Sequence, residues 1–431
     1  MRLPSKCQAI ATLQIVLVQP QSAISAHELG ALSWPQSVAD ATALAGVSRA
    51  LRQTKLDLDW LNCQQVAVCR VPAPTFAERA RGEHLARVFT ELGHRPTIDD
   101  VGNVVVPIVH SERLPFVAVT AHMDTILAPS AVEDIQVEAD GTIRGPGVAD
   151  NGPGLATLVG LAKLLAKPLV DAPKRNVLLV ANVAEEGEGN LRGIRYLVED
   201  SPYSGRIDRY LVVDGASLDH ITDAALGSKR FELVIEGTGG HSWNDFGAPH
   251  PVHALAGAIS LMTRAHLPSE PKTTLSVGVI QGGTSVNSIP TSASAKIDVR
   301  SVDPYEIRRI QQVVEEAARK AVATENQNGN GGRLGCVLRE IGNRPAAPSL
   351  PSNPVTNCLR AVDSHLRISS VLDCSSTDAN IPLAAGIPAA AIGCGGRGGN
   401  AHAPGEWYDP KGRDLGLRRL LLGLACLQMR P

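Results

Sequence analysis

The sequence lacks an excess of either charge. Its 431 residues contain 41 Lys and Arg against 43 Asp and Glu, which gives a formal net charge of -2. A strongly basic field, which nucleic acid or an anionic lipid surface would attract, is therefore excluded. The balance predicts a small neutral or zwitterionic partner, with neither nucleic acid nor membrane among the ligands.

The chain also lacks paired cysteine motifs and long apolar runs. Its eight cysteines are scattered without a C-x-x-C pair, which is typical of free thiols in a reducing compartment. No run approaches the roughly 20 apolar residues that a membrane helix needs. Both absences favour a cytoplasmic protein. Residues 1–26 have the outline of a signal peptide, with two early cations and an apolar stretch from Ala9 to Val18, so export is the alternative.

What the sequence does contain is an alternation of short apolar runs with helical patterns. The near-continuous apolar runs lie at residues 116–121, 176–183, 209–213 and 388–392, and a helical pattern occupies 152–166. Such runs are typical of strands buried on both faces of a sheet. Strands that alternate with helices predict an α/β fold with a mostly parallel sheet.

The pattern changes between residues 230 and 343. Four predicted strands and two predicted helices follow one another there in the order β-α-β-β-α-β, which is the ferredoxin-like unit. The pattern of the larger sheet resumes after this segment. We therefore predict an inserted α+β domain at 230–343, a main domain formed by 51–229 and 344–431, and an N-terminal extension at 1–50.

Acidic and imidazole side chains follow the apolar runs. They are His122 and Asp124 after residues 116–121, Glu185 and Glu186 after 176–183, Asp214 after 209–213, His402 beyond 388–392, and Asp150 in the loop before the 152–166 helix. Residues at the carboxyl ends of parallel strands converge at one edge of an open α/β sheet. Zn(II) accepts imidazole and carboxylate ligands, and a set of this size indicates two metals rather than one.

A solvated charged surface is the alternative explanation for each motif taken alone. The chain has another H-x-E at His110 and Glu112, and another adjacent acidic pair at Glu315 and Glu316 within a polar-faced helix. A surface explanation does not predict placement after hydrophobic runs at a common sheet edge. That placement favours a metal site.

Nine short motifs occur in a characteristic order. They are AHMDT (121–125), GPGVADNGPG (145–154), EEGEGNLRG (185–193), VDG (213–215), GGHSW (239–243), NSIP (287–290), DVR (298–300), STDAN (376–380) and NAHAPGEW (400–407). The series resembles the dizinc metallohydrolase family that includes peptidase T, glutamate carboxypeptidase, acetylornithine deacetylase and succinyl-diaminopimelate desuccinylase. The resemblance covers most of the chain and implies a zinc-peptidase-like sheet with helices on both faces.

This resemblance implies a dinuclear metal site. His122 and Asp214 would hold one zinc, Glu186 and His402 would hold the other, and Asp150 would bridge both through its two oxygens. The expected cofactors are therefore two Zn(II) per subunit, with Co or Mn as possible substitutes. In the family the peptide bond after the bridging aspartate, here Asp150, is often cis.

Two further acids receive catalytic roles from the resemblance. Glu185 would act as the general base that takes a proton from water and returns it to the leaving amine. Asp124 would orient the imidazole of His122 as a supporting carboxylate.

The inserted domain would act as a lid and would form a homodimer. His241 would reach the active site of the partner subunit and stabilise the tetrahedral oxyanion; a loop histidine that caps a helix is the alternative. Asn287, Arg300 and Thr377 resemble substrate-binding residues, and Arg300 suits a bidentate grip on a carboxylate. A turn asparagine and a surface ion pair are the alternatives for Asn287 and Arg300.

The predicted function is hydrolysis of an amide bond in small peptides. Asp214, together with AHMDT at 121–125, resembles the peptidase members more than the desuccinylases, which favours a metallopeptidase of the peptidase T type that acts as an exopeptidase. An N-acyl-amino-acid deacylase is the first alternative. A non-catalytic protein that binds a peptide or metabolite is the second, and the unligated Glu185 argues against it.

Overall fold

The computed structural model describes residues 33–430, so the predicted signal-like segment at 1–26 lies outside the described residues. Helices in this range are α1 Trp34–Ala43, α2 Ala45–Leu56, α3 Leu58–Cys69, α4 Arg79–Glu91, α5 Gly152–Leu165, α6 Arg192–Glu199, α7 Pro251–Met262, α8 Pro304–Asn328, α9 Pro354–Leu366, α10 Asn380–Ala384 and α11 Arg413–Met429. None of these helices is both long enough and apolar enough to cross a membrane.

The strands of the described range form one large sheet and several smaller ones. They are β1 Thr97–Ile98, β2 Val104–Ile108, β3 Phe116–His122, β4 Gln136–Val137, β5 Ile143–Arg144, β6 Asn176–Asn182, β7 Ile207–Val213, β8 His220–Ala225, β9 Gly227–Glu236, β10 Gly240–His241, β11 Thr273–Gly282, β12 Ser288–Ile289, β13 Ser292–Ser301, β14 Gly335–Arg344, β15 Val371–Ser375, β16 Ala389–Ile392, β17 Arg397–Gly399 and β18 Trp407–Asp409.

The large sheet has eight strands in the order β1-β2-β6-β3-β7-β16-β8-β15. Its central strands β6, β3, β7 and β16 are parallel, whereas β2 and β8 run antiparallel to their neighbours β6 and β16. Every residue of β3 and β6 is buried, as expected for strands covered on both faces. The predicted mostly parallel sheet is confirmed.

Side chains that alternate along the central strands enter two separate cores. Val117 and Val119 of β3 pack among residues of α1 to α5, α9 and α11, while Phe116 and Ala118 pack among residues of α6 and α10. Because both faces of the sheet are covered, the strand ends are the part of the sheet left for a site.

The predicted N-terminal extension overlaps two helices of the large core. Val38 and Ala41 of α1, and Val47 and Ala50 of α2, are buried in the same core as α9 and α11. These helices therefore contribute apolar surface to the main body of the protein. The domain boundaries drawn from the sequence remain predictions.

A smaller antiparallel sheet carries the residues of the predicted insertion. Its strand order is β11-β13-β9-β14, and α7 and α8 pack with it around a separate core. This order and the β-α-β-β-α-β connection are those of a ferredoxin-like unit. We call residues 227–344 the ferredoxin-like unit. Its two connections to the large sheet run side by side, since Ala225 and Ala347 form an antiparallel bridge.

A third sheet joins two loops that are distant in sequence. It has the order β17-β18-β5-β4, with Trp407 opposite Arg144. The pairing brings the Gly-rich loop that contains Asp150 beside the loop that contains His402.

Candidate active site

The first half of the site lies at the carboxyl ends of β3 and β7. His122 is the last residue of β3 and Asp214 follows β7 directly. The Nε2 atom of His122 lies 3.0 Å from Oδ1 of Asp150 and 3.6 Å from Oδ1 of Asp214. The His122 side chain is buried, and packing of β3 in the core therefore determines where its imidazole lies.

The second half lies on the other side of Asp150. The Nε2 atom of His402 is 2.6 Å from Oε1 of Glu186 and 3.1 Å from Oδ2 of Asp150. Asp150 thus directs one carboxylate oxygen toward each histidine. The structure brings together all five residues that the sequence indicated as metal ligands.

These five residues form two groups that fit divalent cations. His122, Asp150 and Asp214 form one group, and Asp150, Glu186 and His402 form the other; within each group one donor atom per residue lies within 4.8 Å of the others. Neutral imidazole and carboxylate donors at this spacing suit Zn(II). Asp150 belongs to both groups, as the bridging role requires.

Hydrogen bonds and burial shift the pKa values of the residues in this cluster. The hydrogen bond to Asp150 raises the pKa of His402 to about 9. Burial acts to raise the pKa of Asp150, but hydrogen bonds to His122 and His402 outweigh it and hold that pKa well below its usual range. The protein without metal therefore holds protons on its histidines, which a bound cation would displace.

Asp124 contacts the backbone of the adjacent glutamates as well as His122. Its fully buried carboxylate accepts hydrogen bonds from the backbone N–H groups of Glu185 and Glu186, both at 2.9 Å, and from the hydroxyl of Thr75 at 3.0 Å. The Nδ1 atom of His122 lies 3.0 Å from the main-chain oxygen of Asp124 and 3.5 Å from its carboxylate.

This arrangement places the hydrogens of His122. A carbonyl oxygen only accepts, so Nδ1 carries a hydrogen, and in the protein without metal Nε2 donates to Asp150. A bound cation would take the place of the proton on Nε2. The Asp124 carboxylate at the same time holds the turn on which the adjacent glutamates lie.

Glu185 contacts an arginine that the sequence analysis missed. Oε1 of Glu185 accepts a hydrogen bond of 3.0 Å from Nη1 of Arg344, which also lies 3.1 Å from the hydroxyl of Ser376. Burial raises the pKa of Glu185 well above its usual range, and the positive charge of Arg344 acts in the opposite direction. Arg344 is the last residue of β14, and no motif quoted from the sequence contains it.

Glu406 is the second missed residue. Its buried carboxylate accepts hydrogen bonds from the backbone N–H groups of Gly147 at 2.8 Å, Ala149 at 2.7 Å and Asp150 at 2.9 Å. It therefore holds the loop that carries Asp150, whose peptide bond to Asn151 is cis. The signal was available, because Glu406 belongs to the NAHAPGEW motif.

A cavity of about 630 Å³ opens beside the metal-ligand candidates. Arg230 and Arg300 of the ferredoxin-like unit line it, and both bind Asp298, at 3.2 Å and 2.7 Å respectively. Thr377 also lines the cavity, but its side-chain oxygen accepts a hydrogen bond from the backbone N–H of Ala379. Two of the three predicted substrate-binding residues are thus placed beside the predicted metal ligands.

His241 and Asn287 do not line this cavity. Both are exposed, at the ends of the short β10–β12 pairing. Nδ1 of His241 accepts from the backbone N–H of Trp243 at 3.2 Å. Large apolar side chains close to them in sequence are exposed to solvent, namely Trp243 at 83%, Phe246 at 84% and Val286 at 103%. Within one chain the cavity therefore forms without these two residues.

Comparison with known proteins gives consistent results. The model of peptidase family M20/M25/M40 matches residues 118–422. A putative LysW-lysine/LysW-ornithine hydrolase of Pyrobaculum aerophilum is 28% identical over 261 residues, which are 60% of this chain and 71% of that protein. The cytosol non-specific dipeptidase of Escherichia coli is 26% identical over 309 residues, which are 65% of this chain and 60% of that protein.

Solved structures share the fold. A tripeptidase from Staphylococcus aureus superposes with a TM-score of 0.68 at 20% identity, covering 86% of this chain and 98% of its own. A Bacillus subtilis protein described as a dinuclear metal binding peptidase superposes with a TM-score of 0.62 at 18% identity, covering 87% of this chain and 99% of its own. At this identity the likeness concerns the fold alone.

Proposed function

The chain belongs to peptidase family M20/M25/M40, a family of hydrolytic enzymes, and we propose that it is a dizinc exopeptidase that cleaves an amide bond in small peptides. The position of Asp150 carries this proposal, since its oxygens lie 3.0 Å from His122 and 3.1 Å from His402. A carboxylate between two such donor groups is what a dinuclear hydrolase requires.

The ligands are assigned from these contacts. His122 and Asp214 would hold one cation, Glu186 and His402 would hold the other, and Asp150 would serve both. Zinc is the proposed metal because the donors are imidazoles and carboxylates, and Co or Mn could substitute. When bound, the cations polarise the scissile carbonyl and lower the pKa of water.

Glu185 is the proposed general base. Glu185 neighbours the metal ligands. Its carboxylate also lies close enough to His122 and Glu186 to form a further group of possible metal ligands. Its Oε1 atom nevertheless binds Arg344, whereas Oε1 of Glu186 faces His402. Glu185 therefore remains available to take a proton from the attacking water and to deliver it to the leaving amine.

The substrate class is proposed from the arginine side chains that line the cavity and from the similar proteins. Arg300 lies in the cavity and offers a guanidinium to a substrate carboxylate, which suits an exopeptidase. Similarity to a dipeptidase supports peptides as substrates. Similarity to a LysW-lysine/LysW-ornithine hydrolase supports the second candidate, an amidohydrolase that releases an amino acid from an N-acyl group.

A homodimer completes the proposed site. His241 and Asn287 are exposed beside Trp243, Phe246 and Val286, which is a surface suited to contact with a second copy. In this dimer His241 of one subunit donates to the oxyanion in the cavity of the other. A cytoplasmic location is proposed because the seven cysteines in the described range are free.

The experiment is a substrate screen with protein that has been loaded with zinc and analysed for metal content. About two zinc ions per chain and turnover of di- or tripeptides are expected, with weaker turnover of the same peptides after C-terminal amidation. Preference for N-acyl amino acids would support the amidohydrolase instead. Binding of two metals without turnover of either substrate class would contradict catalysis.

A further inference from the structure

The active-site cavity extends across the large sheet to its edge strand. Ala391 of β16, Thr222 of β8 and Asp373 of β15 all line it. They lie side by side, because Thr222 is opposite both Ala391 and Asp373 in the sheet register. Strand β7, which precedes Asp214, is three strands away from β15. At about 4.8 Å per strand, Asp373 lies roughly 14 Å across the sheet from that metal-ligand candidate.

Among the residues that the structure describes, Asp373 differs from the other charged residues of the cavity in lacking an ionic partner. Arg230 and Arg300 share Asp298, and Arg344 binds Glu185. The remaining charged residues in the cavity lining belong to the metal cluster, apart from His220.

His220 lies two residues before Thr222 on β8, so it is an ionisable residue on the same face of that strand as Thr222. Its Nδ1 atom is 3.0 Å from Asp219, which lies outside the cavity. Within residues 33–430, the recorded partner of Asp373 is the neutral hydroxyl of Thr222, which donates to Oδ1. The edge end of the cavity therefore contains a carboxylate without a cation.

We propose that Asp373 is a specificity-determining residue that binds an ammonium group of the substrate. This inference rests on the proposed peptide hydrolysis. It adds the requirement that the substrate has a positively charged group at the edge-strand end of the cavity. An ammonium at Asp373 forms a charge-assisted hydrogen bond with the carboxylate. The oxygen Oδ2 accepts it, while Thr222 continues to hold Oδ1.

Two sources can supply this ammonium group. After about 3 Å for the ion-pair contact, the remaining distance to β7 corresponds to about three extended residues. A free peptide N-terminus therefore reaches Asp373 from a scissile bond at the metal ligands. The side-chain amine of a lysine or ornithine residue is the second source, and the experiment separates the two.

The test measures binding by calorimetry in the zinc-loaded Glu185→Gln protein, so that no substrate is consumed. The probes are Ala-Ala-Ala-Ala, in which three residues precede the last peptide bond, its N-acetyl form and N-acetyl-Ala-Ala-Lys-Ala. Ala-Ala-Ala-Ala is expected to bind about 10- to 100-fold more tightly than its N-acetyl form, as for a hydrogen bond between charged groups. Adding Asp373→Asn removes most of this difference, and Asp373→Glu restores part of it.

Asp171→Asn is the control. It removes an exposed carboxylate of equal charge that lies outside the cavity, so the preference for the free amine is expected to persist. If N-acetyl-Ala-Ala-Lys-Ala alone depends on Asp373, the inference is supported with the side chain as the source. Equal binding of all three probes, or a preference that survives Asp373→Asn, overturns it.

These outcomes are separable from failure of the proposed function. Loss of the free-amine preference on Asp373→Asn is observable even if the parent protein hydrolyses no peptide, in which case only the exopeptidase proposal fails. Hydrolysis of free and acetylated peptides at equal rates, with equal binding, leaves the exopeptidase proposal intact and removes Asp373 from it.

Discussion

The metal-ligand candidates and the exposed histidine of the ferredoxin-like unit illustrate two ways of placing a functional side chain. His122 is held at 2% exposure at the end of a strand that is buried on every residue. His241 is exposed in a two-residue strand among solvent-facing aromatic side chains. Core packing positions the first residue within one chain, whereas the role proposed for the second depends on a partner surface.

This difference suggests that the two regions respond differently to mutation. Changes at the sheet edge act within one chain, because each contact there joins residues of that chain. Changes at His241 act between chains if the dimer proposal is correct. The following predictions test this contrast, from the largest effect to the smallest.

Glu185→Gln is expected to lower turnover by about 10²- to 10⁴-fold, the usual contribution of a general base. Gln keeps an oxygen for Arg344, so about two zinc ions per chain should remain in elemental analysis. Glu188→Gln is the matched control, since the Glu188 side chain is 63% exposed and pairs with Lys296. Loss of zinc together with activity in Glu185→Gln would remove Glu185 from the role of base.

His241→Ala is expected to lower turnover by about 10²- to 10³-fold, as for loss of an oxyanion donor. Mixing this variant with Glu185→Gln should restore about a quarter of wild-type activity, because half of randomly formed dimers then contain one complete site. The measurement is activity after subunit exchange. No recovery, despite exchange shown by mass-tagged subunits, would contradict action in trans.

Glu406→Gln is expected to weaken zinc binding by about 10- to 100-fold, the usual effect of losing a group that orients a ligand. The carboxylate binds three backbone N–H groups of the loop that ends at Asp150, and an amide offers only one acceptor oxygen. Competition with a chelator measures the affinity. Unchanged affinity would show that the loop holds its shape without Glu406.

Zinc affinity is expected to rise with pH between pH 6 and 9. The hydrogen bond to Asp150 raises the pKa of His402 to about 9, so below that pH a cation must displace a proton. Each displaced proton changes the affinity by up to about tenfold per pH unit. Chelator competition from pH 6 to 9 checks this slope. His253→Ala, which alters an exposed histidine of the ferredoxin-like unit, should leave the slope unchanged.

The smallest effect is expected for the ion pair that joins Glu188, close to the metal-ligand candidates, to Lys296 of the ferredoxin-like unit. Lys296 of β13 lies 2.8 Å from Glu188, whose pKa it lowers by a hydrogen bond. A lowered pKa means that this stabilisation is present at neutral pH and is lost as the pH falls through the carboxyl range. Glu188→Gln should cost less than about 1 kcal/mol in unfolding free energy. A larger loss in urea unfolding would reveal a stronger contact than the exposure indicates.

Patterns in the sequence predicted most of this structure, for identifiable reasons. The run at 116–121 is a central strand because a nearly continuous apolar segment requires cover on both faces. His122 and Asp214 follow such runs, so their convergence required only the rule for strand ends. The ferredoxin-like order of residues 227–344 could likewise be read from alternating periodicity.

Arg344 and Glu406 could not be placed in the same manner. Arg344 meets Glu185 across 159 positions of sequence, and this contact depends on how the ferredoxin-like unit returns beside Ala225. Glu406 binds backbone N–H groups of a loop that is distant in sequence. Residue types do not indicate which backbone N–H groups a carboxylate will bind. Asp124 shows the same limit, since its carboxylate binds the N–H groups of Glu185 and Glu186.

The sequence by itself determined at which edge of the sheet the candidate site residues lie, because hydrophobic periodicity sets the strands and the candidate residues follow the strand ends. Only the tertiary structure decided which of these side chains contact one another. Asp150 lies between the two histidines, Glu185 binds Arg344, and Asp373 faces the cavity without a cation. These contacts join residues far apart in the chain, and their distances follow from packing rather than from spacing.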